Sequence, residues 1–147
     1  MKPNTIVHFK GSYIDDNNKP AKERRHLVLK IKDGKIYFLK LTSEDKEKDL
    51  YARWVGKTDC LNKISYAILK RQVEICLSDL EASNYQYFYI CPLHTEGCLN
   101  SELFEEIFYK VEELWADELM RDKKIILVDG KRLLETKDVM LNILKSI

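Results

Sequence analysis

The first half of the chain is a series of short apolar runs separated by polar turns, a pattern that predicts β-strands. Runs rich in β-branched and aromatic residues occupy residues 5–9, 26–31 and 35–41. Asp33 and Gly34 separate the second run from the third. An Asp-Gly pair in that position is a strong hairpin signal, because both turn residues need positive φ. The pattern therefore predicts a β-hairpin preceded by one strand.

Weaker strand signals follow the hairpin. They occupy residues 50–55, 64–66 and 73–77. Ser78 and Glu81 have the spacing of a capping box, which predicts the start of a helix. Residues 85–91 fit a strand or a helix, because their periodicity does not separate the two.

The period changes in residues 101–121, where apolar residues recur every three or four positions and glutamates fill the other side. We expect one long amphipathic helix whose apolar stripe packs on the sheet. A second Asp-Gly pair at residues 129–130 predicts another hairpin between residues 125–128 and 131–134, followed by a short helix capped by Thr136. The expected fold is α+β: a small SH3-like curled antiparallel β-barrel with helices added mainly from the C-terminal half.

The length of 147 residues suits a single domain spanning residues 1–147. Apolar residues make up 45% of the chain and charged residues 33%, a composition that excludes disordered and low-complexity proteins. No apolar run reaches the ~20 residues needed to cross a bilayer, and the N-terminus lacks the apolar segment of a signal peptide. We therefore expect a cytoplasmic protein with no membrane partner.

The two halves of the sequence carry opposite charge. Residues 1–75 contain 17 Lys and Arg against 10 Asp and Glu, a net charge of +7, whereas residues 76–147 contain 8 against 14, a net charge of −6. One domain with this asymmetry can present a basic face to a polyanion while its acidic part is turned away. Mixing of both charges on the folded surface is the alternative.

Many of the basic residues fall in the polar loop of residues 15–25 and in the predicted hairpin. Lys30 and Lys32 alternate along one strand and therefore share a face, close to the rings of Tyr37 and Trp54. Such a row is typical of a surface that follows a phosphate backbone and stacks bases, although a solvated charged face has the same composition. The candidate RNA-binding residues are Lys19, Lys22, Arg24, Lys30, Lys32, Lys35, Tyr37, Lys40 and Arg53.

The cysteines offer one pattern with metal-ligand spacing. Cys91, His94 and Cys98 could supply three zinc ligands, with a distant fourth from Cys60 or Cys76. Structural zinc sites are usually built from two tight pairs, and this chain has only one loose triplet. We therefore expect packed, reduced thiols and no metal or other cofactor. A zinc-stabilised interaction domain is the corresponding alternative.

Most enzyme classes have no support, because the chain lacks paired histidines, a Gly-rich phosphate loop, a DxD-like metal cluster and a nucleophile elbow. One constellation remains. Arg25 opens the first hairpin strand and Thr42 ends the second, about equally far from the turn, so we expect them to face each other. The candidate catalytic residues are Arg25, His26, Thr42, Ser43 and Lys46.

These residue types suit cleavage of RNA without a metal, in which the ribose 2′-hydroxyl attacks the adjacent phosphorus. Guanidinium and ammonium groups can stabilise the phosphoryl oxygens, hydroxyls can orient them, and His26 or a lysine can move a proton. Neighbouring strand residues point to opposite faces, so only one of Arg24 and Arg25 can look into the groove. For the same reason His26 and Arg25 cannot both do so within the strand. Which arginine takes part, and which group is the general base, stay open.

Residues 24–43, RRHLVLKIKDGKIYFLKLTS, resemble the core of the MazF/PemK-like toxin endoribonucleases, and most closely the ToxN branch, which includes the CptN toxins. In those families a basic residue opens an apolar strand, and the next strand ends in a Leu-Thr-Ser-type motif at the active site. The ToxN pattern continues Thr-Ser-Pro-Lys, whereas this chain reads TSEDK at residues 42–46, so that Lys46 comes one residue later and the proline is missing. Residues 62–75 resemble the strand pair that follows, in which Lys70 and Arg71 would add cations to the groove.

The resemblance covers residues 5–80 and implies an SH3-like barrel that cleaves RNA to a 2′,3′-cyclic phosphate without a metal. It also implies a cytoplasmic, growth-inhibiting toxin. ToxN-like toxins are inhibited by a repetitive antitoxin RNA that they process themselves, in an oligomeric toxin–RNA complex, and MazF-like toxins are inhibited by a protein. The charge asymmetry favours an RNA partner, because RNA lies along a basic surface. A non-catalytic RNA-binding module is the alternative from another class.

Overall fold

The computed structural model describes residues 2–9, 25–58, 61, 63–78, 88–90, 97–116 and 125–128. These residues contain seven strands and the helix α1. The fold is α+β with a strand-rich core. The elements in chain order are β1 (Ile6–Phe9), β2 (Arg25–Lys32), β3 (Lys35–Thr42), β4 (Ala52–Gly56), β5 (Ser65–Cys76), β6 (Phe88–Ile90), α1 (Ser101–Trp115) and β7 (Ile125–Val128).

One sheet contains all seven strands, in the order β4-β5-β3-β2-β1-β6, with β7 paired to β5 outside this path. The pair β5–β7 is parallel and the others are antiparallel. The sheet is therefore mostly antiparallel, and β3 lies at its centre.

The 12-residue strand β5 changes partner along its length. Its first residues pair with β4, and its last residues, from Gln72 onward, pair with β7. Against β3 the register jumps from Leu39–Gln72 to Leu41–Ala67, so that two residues of β3 span five of β5. The prediction of two separate strands at residues 64–66 and 73–77 is therefore wrong: they are the two ends of one irregular strand.

The predicted hairpin is confirmed as β2–β3. Asp33 and Gly34 both have positive φ, 53° and 74°, as a type I′ turn requires. Sequence reasoning did not predict a bulge, yet the register shifts between Val28 and Lys30, where Leu29 is the additional residue. Between the Val28–Phe38 pair and the turn, β2 therefore has one residue more than β3.

The face of the sheet that α1 covers carries the main core. Ile107 and Val111 of the helix are buried there, which confirms that its apolar stripe packs on the sheet. The strands contribute Ile6, Leu27, Leu29, Leu39, Leu41, Val55, Ala67 and Leu69. The other face of the central strands is also apolar, with Val7, Val28, Ile36, Phe38, Val73 and Ile75 buried.

Helix α1 begins after Asn100, whose side-chain oxygen accepts a hydrogen bond from the backbone N–H of Glu102 at 2.9 Å. This is the N-cap interaction that satisfies one of the free donors of the first turn. The helix ends at Trp115, and the predicted extension over residues 117–121 lies outside the described residues. Within the described residues no helix is both long enough and apolar enough to span a membrane.

Several predicted elements lie wholly or partly outside the described residues. Of residues 85–91, the described part is the strand β6, which pairs with β1. Residues 125–128 form β7 as predicted, but the pairing described for them is with β5. The capping box that Ser78 begins, the strand at residues 131–134 and the helix capped by Thr136 are not described beyond Ser78.

Asn4 ties the N-terminus to the segment before α1. Its amide nitrogen donates to the carbonyl of Leu99 at 2.8 Å, and its amide oxygen accepts from the Leu99 N–H at 3.0 Å. Its backbone carbonyl accepts from the Cys98 N–H at 2.8 Å. Gly97 leaves room for the amide, because a Cβ at that position would lie 2.7 Å from the Asn4 Cγ. We call this set of contacts the Asn4 clamp.

We predict that Asn4→Ala lowers the free energy of unfolding by about 2–4 kcal/mol, because it leaves a buried N–H and a buried carbonyl of Leu99 without their partner. Urea unfolding followed by circular dichroism measures the change. Asn100→Ala, which removes an exposed cap, is the matched control and should cost only about 1 kcal/mol. Equal losses in the two variants would contradict a structural role specific to Asn4.

Candidate nucleic-acid interface

Three side chains form a row across β3, β5 and β4 on the face of the sheet opposite α1. Thr42 is the cross-strand partner of Tyr66, and Tyr66 is the partner of Trp54. Directly paired residues share a face of a sheet, so the three side chains lie side by side. Lys40 lies on this face too, because it alternates with Leu39 and Leu41, which face α1. We call Lys40, Thr42, Trp54 and Tyr66 the Trp54 face.

Trp54 points away from the core, on the exposed face of β4. The register of β4 with β5 shifts between Trp54 and Gly56, and Val55 is the additional residue. Val55 is buried in the core under α1, whereas Trp54 is 52% exposed. Neighbouring residues of a strand point to opposite faces, so Val55 packs in the core while Trp54 lies at the surface.

The loop after β3 adds polar groups to one end of this row. The Thr42 hydroxyl accepts from the backbone N–H of Glu44 at 3.2 Å, which leaves its own hydrogen free to be donated. The Tyr66 hydroxyl donates to Asp45 Oδ1 at 3.2 Å, and the Glu47 N–H donates to the same oxygen at 2.9 Å. The loop is thus fixed to β5 through one tyrosine.

The same end carries the ammonium group of Lys46. Lys46 Nζ lies 3.4 Å from Glu44 Oε2, in an ion pair at the surface. Ser43 is exposed beside it. A surface pair of this kind contributes little to stability, about 0–1 kcal/mol, so Lys46 can exchange its carboxylate for another anion at small cost.

Tyr66 remains a hydrogen-bond donor over a wide pH range. Partial burial raises the pKa of its phenol above the ordinary value of 10.0, and the charge of Asp45 and the hydrogen bond to it raise the pKa further. Burial and a nearby carboxylate both disfavour the phenolate. At neutral pH this group can donate a proton in a hydrogen bond but does not act as a base.

The predicted catalytic residues are not all brought together. Thr42 is the last residue of β3, and Ser43 and Lys46 lie in the loop that follows it. His26 is paired with Lys40 but has no exposed surface, and its ring packs edge-on against Phe38 at a centroid distance of 6.3 Å. A side chain so buried cannot reach a substrate.

Arg25 does not face Thr42, and this prediction is wrong by one residue. The bulge at Leu29 pairs His26 with Lys40, so the same register continued places Arg25 level with Leu41. Strand alternation then puts Arg25 on the face that α1 covers and Thr42 on the other. Arg24, the alternative arginine, lies outside the described residues.

Three of the predicted RNA-binding cations are engaged by carboxylates instead. Lys30 Nζ lies 2.8 Å from Glu112 of α1, and Arg53 Nη2 lies 2.8 Å from Glu106 of the same helix. Lys35 Nζ lies 2.7 Å from Glu74 of β5. The first two of these pairs join the basic and acidic halves of the sequence on the α1 side of the sheet.

The other predicted RNA-binding residues are divided between regions. Tyr37 contacts Lys30, whose ammonium lies 4.9 Å from the ring centroid, and Lys32 is exposed near the hairpin turn. Lys40 belongs to the Trp54 face. The structure does not describe Lys19, Lys22 and Arg24, nor the side chains of Lys70 and Arg71.

Among the described residues, no three His, Cys, Asp or Glu side chains form a cluster that could hold a metal ion. Cys98 is buried, and its sulfur accepts a hydrogen bond from the Ile6 N–H at 3.4 Å. Cys91 and His94 of the proposed zinc triplet lie outside the described residues.

Sequence reasoning named Trp54, Thr42 and Lys46 but missed Tyr66 and Asp45. Tyr66 lies in the strand predicted at residues 64–66, but only the register of β5 with β3 and β4 shows which residues are its neighbours. No protein-family model matches the chain, and no curated protein is significantly similar to it. The site therefore has to be interpreted from its own geometry.

We predict that Lys35→Met lowers the melting temperature at neutral pH, because it removes the cation beside Glu74, whose side chain is only 7% exposed. The hydrogen bond to Glu74 and its charge raise the pKa of Lys35 above the ordinary value of 10.5. The stabilisation is therefore complete below about pH 10.5 and is lost as the pH rises through the higher folded-state pKa. Thermal melts should show the gap between parent and variant closing at alkaline pH. Lys32→Met, at an exposed lysine of the same hairpin, is the control, and a gap independent of pH would refute the ion pair.

Proposed function

We propose that this protein is a metal-independent endoribonuclease toxin whose active site lies on the Trp54 face, at the end of β3. The observation that carries the proposal is that Tyr66 is the cross-strand partner of both Thr42 and the exposed Trp54 and bonds Asp45, in the loop that also contains Lys46. Hydroxyl donors and a cation are the groups that stabilise negative charge on a phosphoryl group, and an exposed ring can receive a base.

In the proposed reaction the 2′-hydroxyl of the substrate attacks the neighbouring phosphorus and the 5′-oxygen of the next nucleotide leaves, which yields a 2′,3′-cyclic phosphate. Lys46 and the hydroxyls of Thr42 and Ser43 bind the phosphoryl oxygens. Asp45, held by a hydrogen bond from Tyr66, accepts the proton of the attacking hydroxyl, and the leaving 5′-oxygen takes a proton from solvent water. Arg25 and His26 have no part in this revised assignment.

The wider biological role in this proposal comes from the resemblance of residues 24–43 to the ToxN-like toxins. It comprises an SH3-like barrel, a cytoplasmic toxin, inhibition by a repetitive RNA that the toxin processes, and an oligomeric toxin–RNA complex. The long irregular strand β5, shared by β4, β3 and β7, is compatible with a curled sheet. Inhibition by a protein, as in MazF-like toxins, is the variant of the proposal that the charge of residues 1–75 favours less.

A non-catalytic RNA-binding module is the second candidate. Its specific support is that His26 is fully buried and that Arg25 and Thr42 lie on opposite faces, which removes two groups from the catalytic set. This candidate retains Trp54, Tyr66 and Lys40 as binding residues. It differs from the ribonuclease in predicting that RNA is bound but never cut.

We predict that the purified protein cleaves single-stranded cellular RNA in excess EDTA and leaves cyclic phosphate ends. The proposed groups stabilise the phosphoryl charge without a metal ion. Mapping the 3′ ends before and after treatment with a cyclic phosphodiesterase measures the product. Dependence on an added divalent cation would contradict the mechanism, and binding without cleavage would favour the non-catalytic module.

We predict that Thr42→Ala, Lys46→Ala and Asp45→Asn each slow cleavage on the order of 10²-fold, the usual cost of losing one transition-state stabiliser or base. Binding to a 2′-O-methylated strand, which lacks the attacking hydroxyl, should change much less. Single-turnover rates and growth inhibition in bacteria provide the measurements. Lys110→Ala, at an exposed lysine of α1, is the matched control for a lost cation and should behave as the parent. Full activity in all three site variants would disprove the assignment.

A further inference from the structure

We infer that the free edge of β4 is a docking site for an extended segment of another protein, which adds to the sheet as a strand parallel to β4. β4 lies at one end of the strand order of the described sheet, with β5 as its neighbour. The backbone groups along such an edge can bind a further strand. This docking site consists of backbone groups of the edge, so it does not depend on the proposed ribonuclease site.

The pairing of β4 with β5 determines which backbone groups point to the free edge. The Leu69 N–H donates to the Tyr51 carbonyl at 2.7 Å, so these residues, next in register to the β4–β5 pairs, form a hydrogen-bonded pair. In an antiparallel ladder such pairs alternate with pairs that exchange no hydrogen bonds. Arg53 is therefore bonded to β5, whereas the N–H and C=O groups of Ala52 and Trp54 point away from β5.

Two of these four outward groups are already bonded within the chain. The Ala52 N–H donates to the Asp49 carbonyl at 3.3 Å, and the Trp54 carbonyl accepts from Nη1 of Arg53 at 3.2 Å. No described residue donates to the Ala52 carbonyl or accepts from the Trp54 N–H. One acceptor and one donor, on the two sides of Arg53, are therefore open at the edge.

These two open groups fit a single residue of a parallel strand. In a parallel ladder, one residue donates its N–H to a carbonyl of the neighbouring strand and accepts, at its own carbonyl, from the N–H two residues further along that strand. Ala52 and Trp54 have this spacing, so one residue docked opposite Arg53 satisfies both open groups and both of its own. An antiparallel strand would use two residues, each with one of its groups facing a group that is already bonded. The parallel direction therefore leaves fewer polar groups unpaired.

The edge disfavours a second copy of this chain as the occupant. An antiparallel pairing of two β4 edges through Ala52 and Trp54 places the two copies of Arg53 directly opposite each other, and like charges in that position are destabilising. A parallel pairing brings together the two copies of the loop of residues 44–49. This loop contains four carboxylates and two ammonium groups, a net charge of −2, so its copies repel each other. The occupant is therefore a segment of a different sequence.

The charges at the two ends of β4 indicate the charge of that segment. The acidic loop of residues 44–49 precedes the strand. Lys57 follows the strand directly, Lys63 lies shortly before β5, and both lysines are exposed. Residues 57–64 contain one acidic residue, Asp59, which lies outside the described residues. A complementary parallel segment is therefore basic before the docked residue and acidic after it.

Strand alternation determines where the side chains of the segment lie. The docked residue shares the face of Arg53, and the residue after it shares the face of Trp54, which is 52% exposed. An apolar side chain at this second position removes part of the indole from water. The partner is thus an extended segment with a polar residue opposite Arg53 and an apolar residue next to Trp54.

The experiment uses a synthetic peptide with blocked ends that reads two lysines, Thr-Val-Ser-Leu-Thr and two glutamates. Its serine is designed to dock opposite Arg53 and its leucine to lie next to Trp54. The controls are the reversed sequence, the peptide N-methylated at serine and the peptide N-methylated at leucine. In the parallel arrangement the serine N–H donates to Ala52, whereas the leucine N–H points away from β4. The two N-methylated peptides are therefore matched, because each has lost one amide hydrogen.

Amide NMR of the full-length protein detects binding at the Trp54 N–H. We expect the peptide to shift this amide and to slow its hydrogen exchange at least about 10-fold at saturation. N-methylation at serine should raise the dissociation constant roughly 10-fold, the cost of one lost hydrogen bond, and N-methylation at leucine should leave it unchanged. The reversed peptide should bind roughly 10-fold more weakly. Lys57→Glu should weaken binding about 3- to 10-fold, whereas Lys110→Glu, on α1, should not.

Each contrary outcome is decisive. An unchanged Trp54 amide, or equal loss from the two N-methylated peptides, would show that the edge of β4 receives no strand. Equal binding of the reversed peptide would overturn the parallel direction. Protection of the Trp54 amide that rises with protein concentration, in the absence of peptide, would assign the edge to a second copy. RNA cleavage is measured on the same samples: a parent that binds the peptide but never cuts RNA would overturn the proposed function and leave the docking site.

Discussion

The register of β3 with its neighbours decides which side chains can act together. β3 pairs with β2 on one side and with β5 on the other, and each pairing contains an irregularity. Because side chains alternate strictly along a strand, one additional residue changes which partners stand level with each other. The bulge at Leu29 brings His26 level with Lys40. The jump in β5 brings Tyr66 level with Thr42.

Much of the fold could be predicted from the sequence, because its signals are local. The turn at Asp33 and Gly34 needs positive φ at both positions, and only a few residue types provide it cheaply. The spacing of Ile107 and Val111 places both on one face of a helix regardless of the rest of the chain. The bulge at Leu29 and the length of β5 have no comparable local signature. They depend on how three strands fit together, and for this reason the pairing of Arg25 with Thr42 was predicted wrongly.

The charge of a sequence segment is a poor guide to the charge of a surface in this protein. Lys30 and Arg53 belong to the basic half, and their carboxylate partners, Glu112 and Glu106, belong to the acidic half. The ion pairs form because α1 covers the core between these residues, which brings its glutamates within reach of β2 and β4. On the α1 side the two charges largely compensate each other. A basic surface in the described residues has to be sought on the opposite face.

The Asn4 clamp joins residues that are 95 positions apart in the chain. On a ribosome β1 emerges long before Leu99, yet the Asn4 clamp cannot close until Leu99 has left the exit tunnel. The hairpin β2–β3, which needs only neighbouring residues, can form long before that moment. Synthesis therefore passes through a stage in which β1 has its sheet partner β2 but lacks its anchor to the start of α1. The nascent protein becomes fully ordered around Asn4 only after Leu99 has been made.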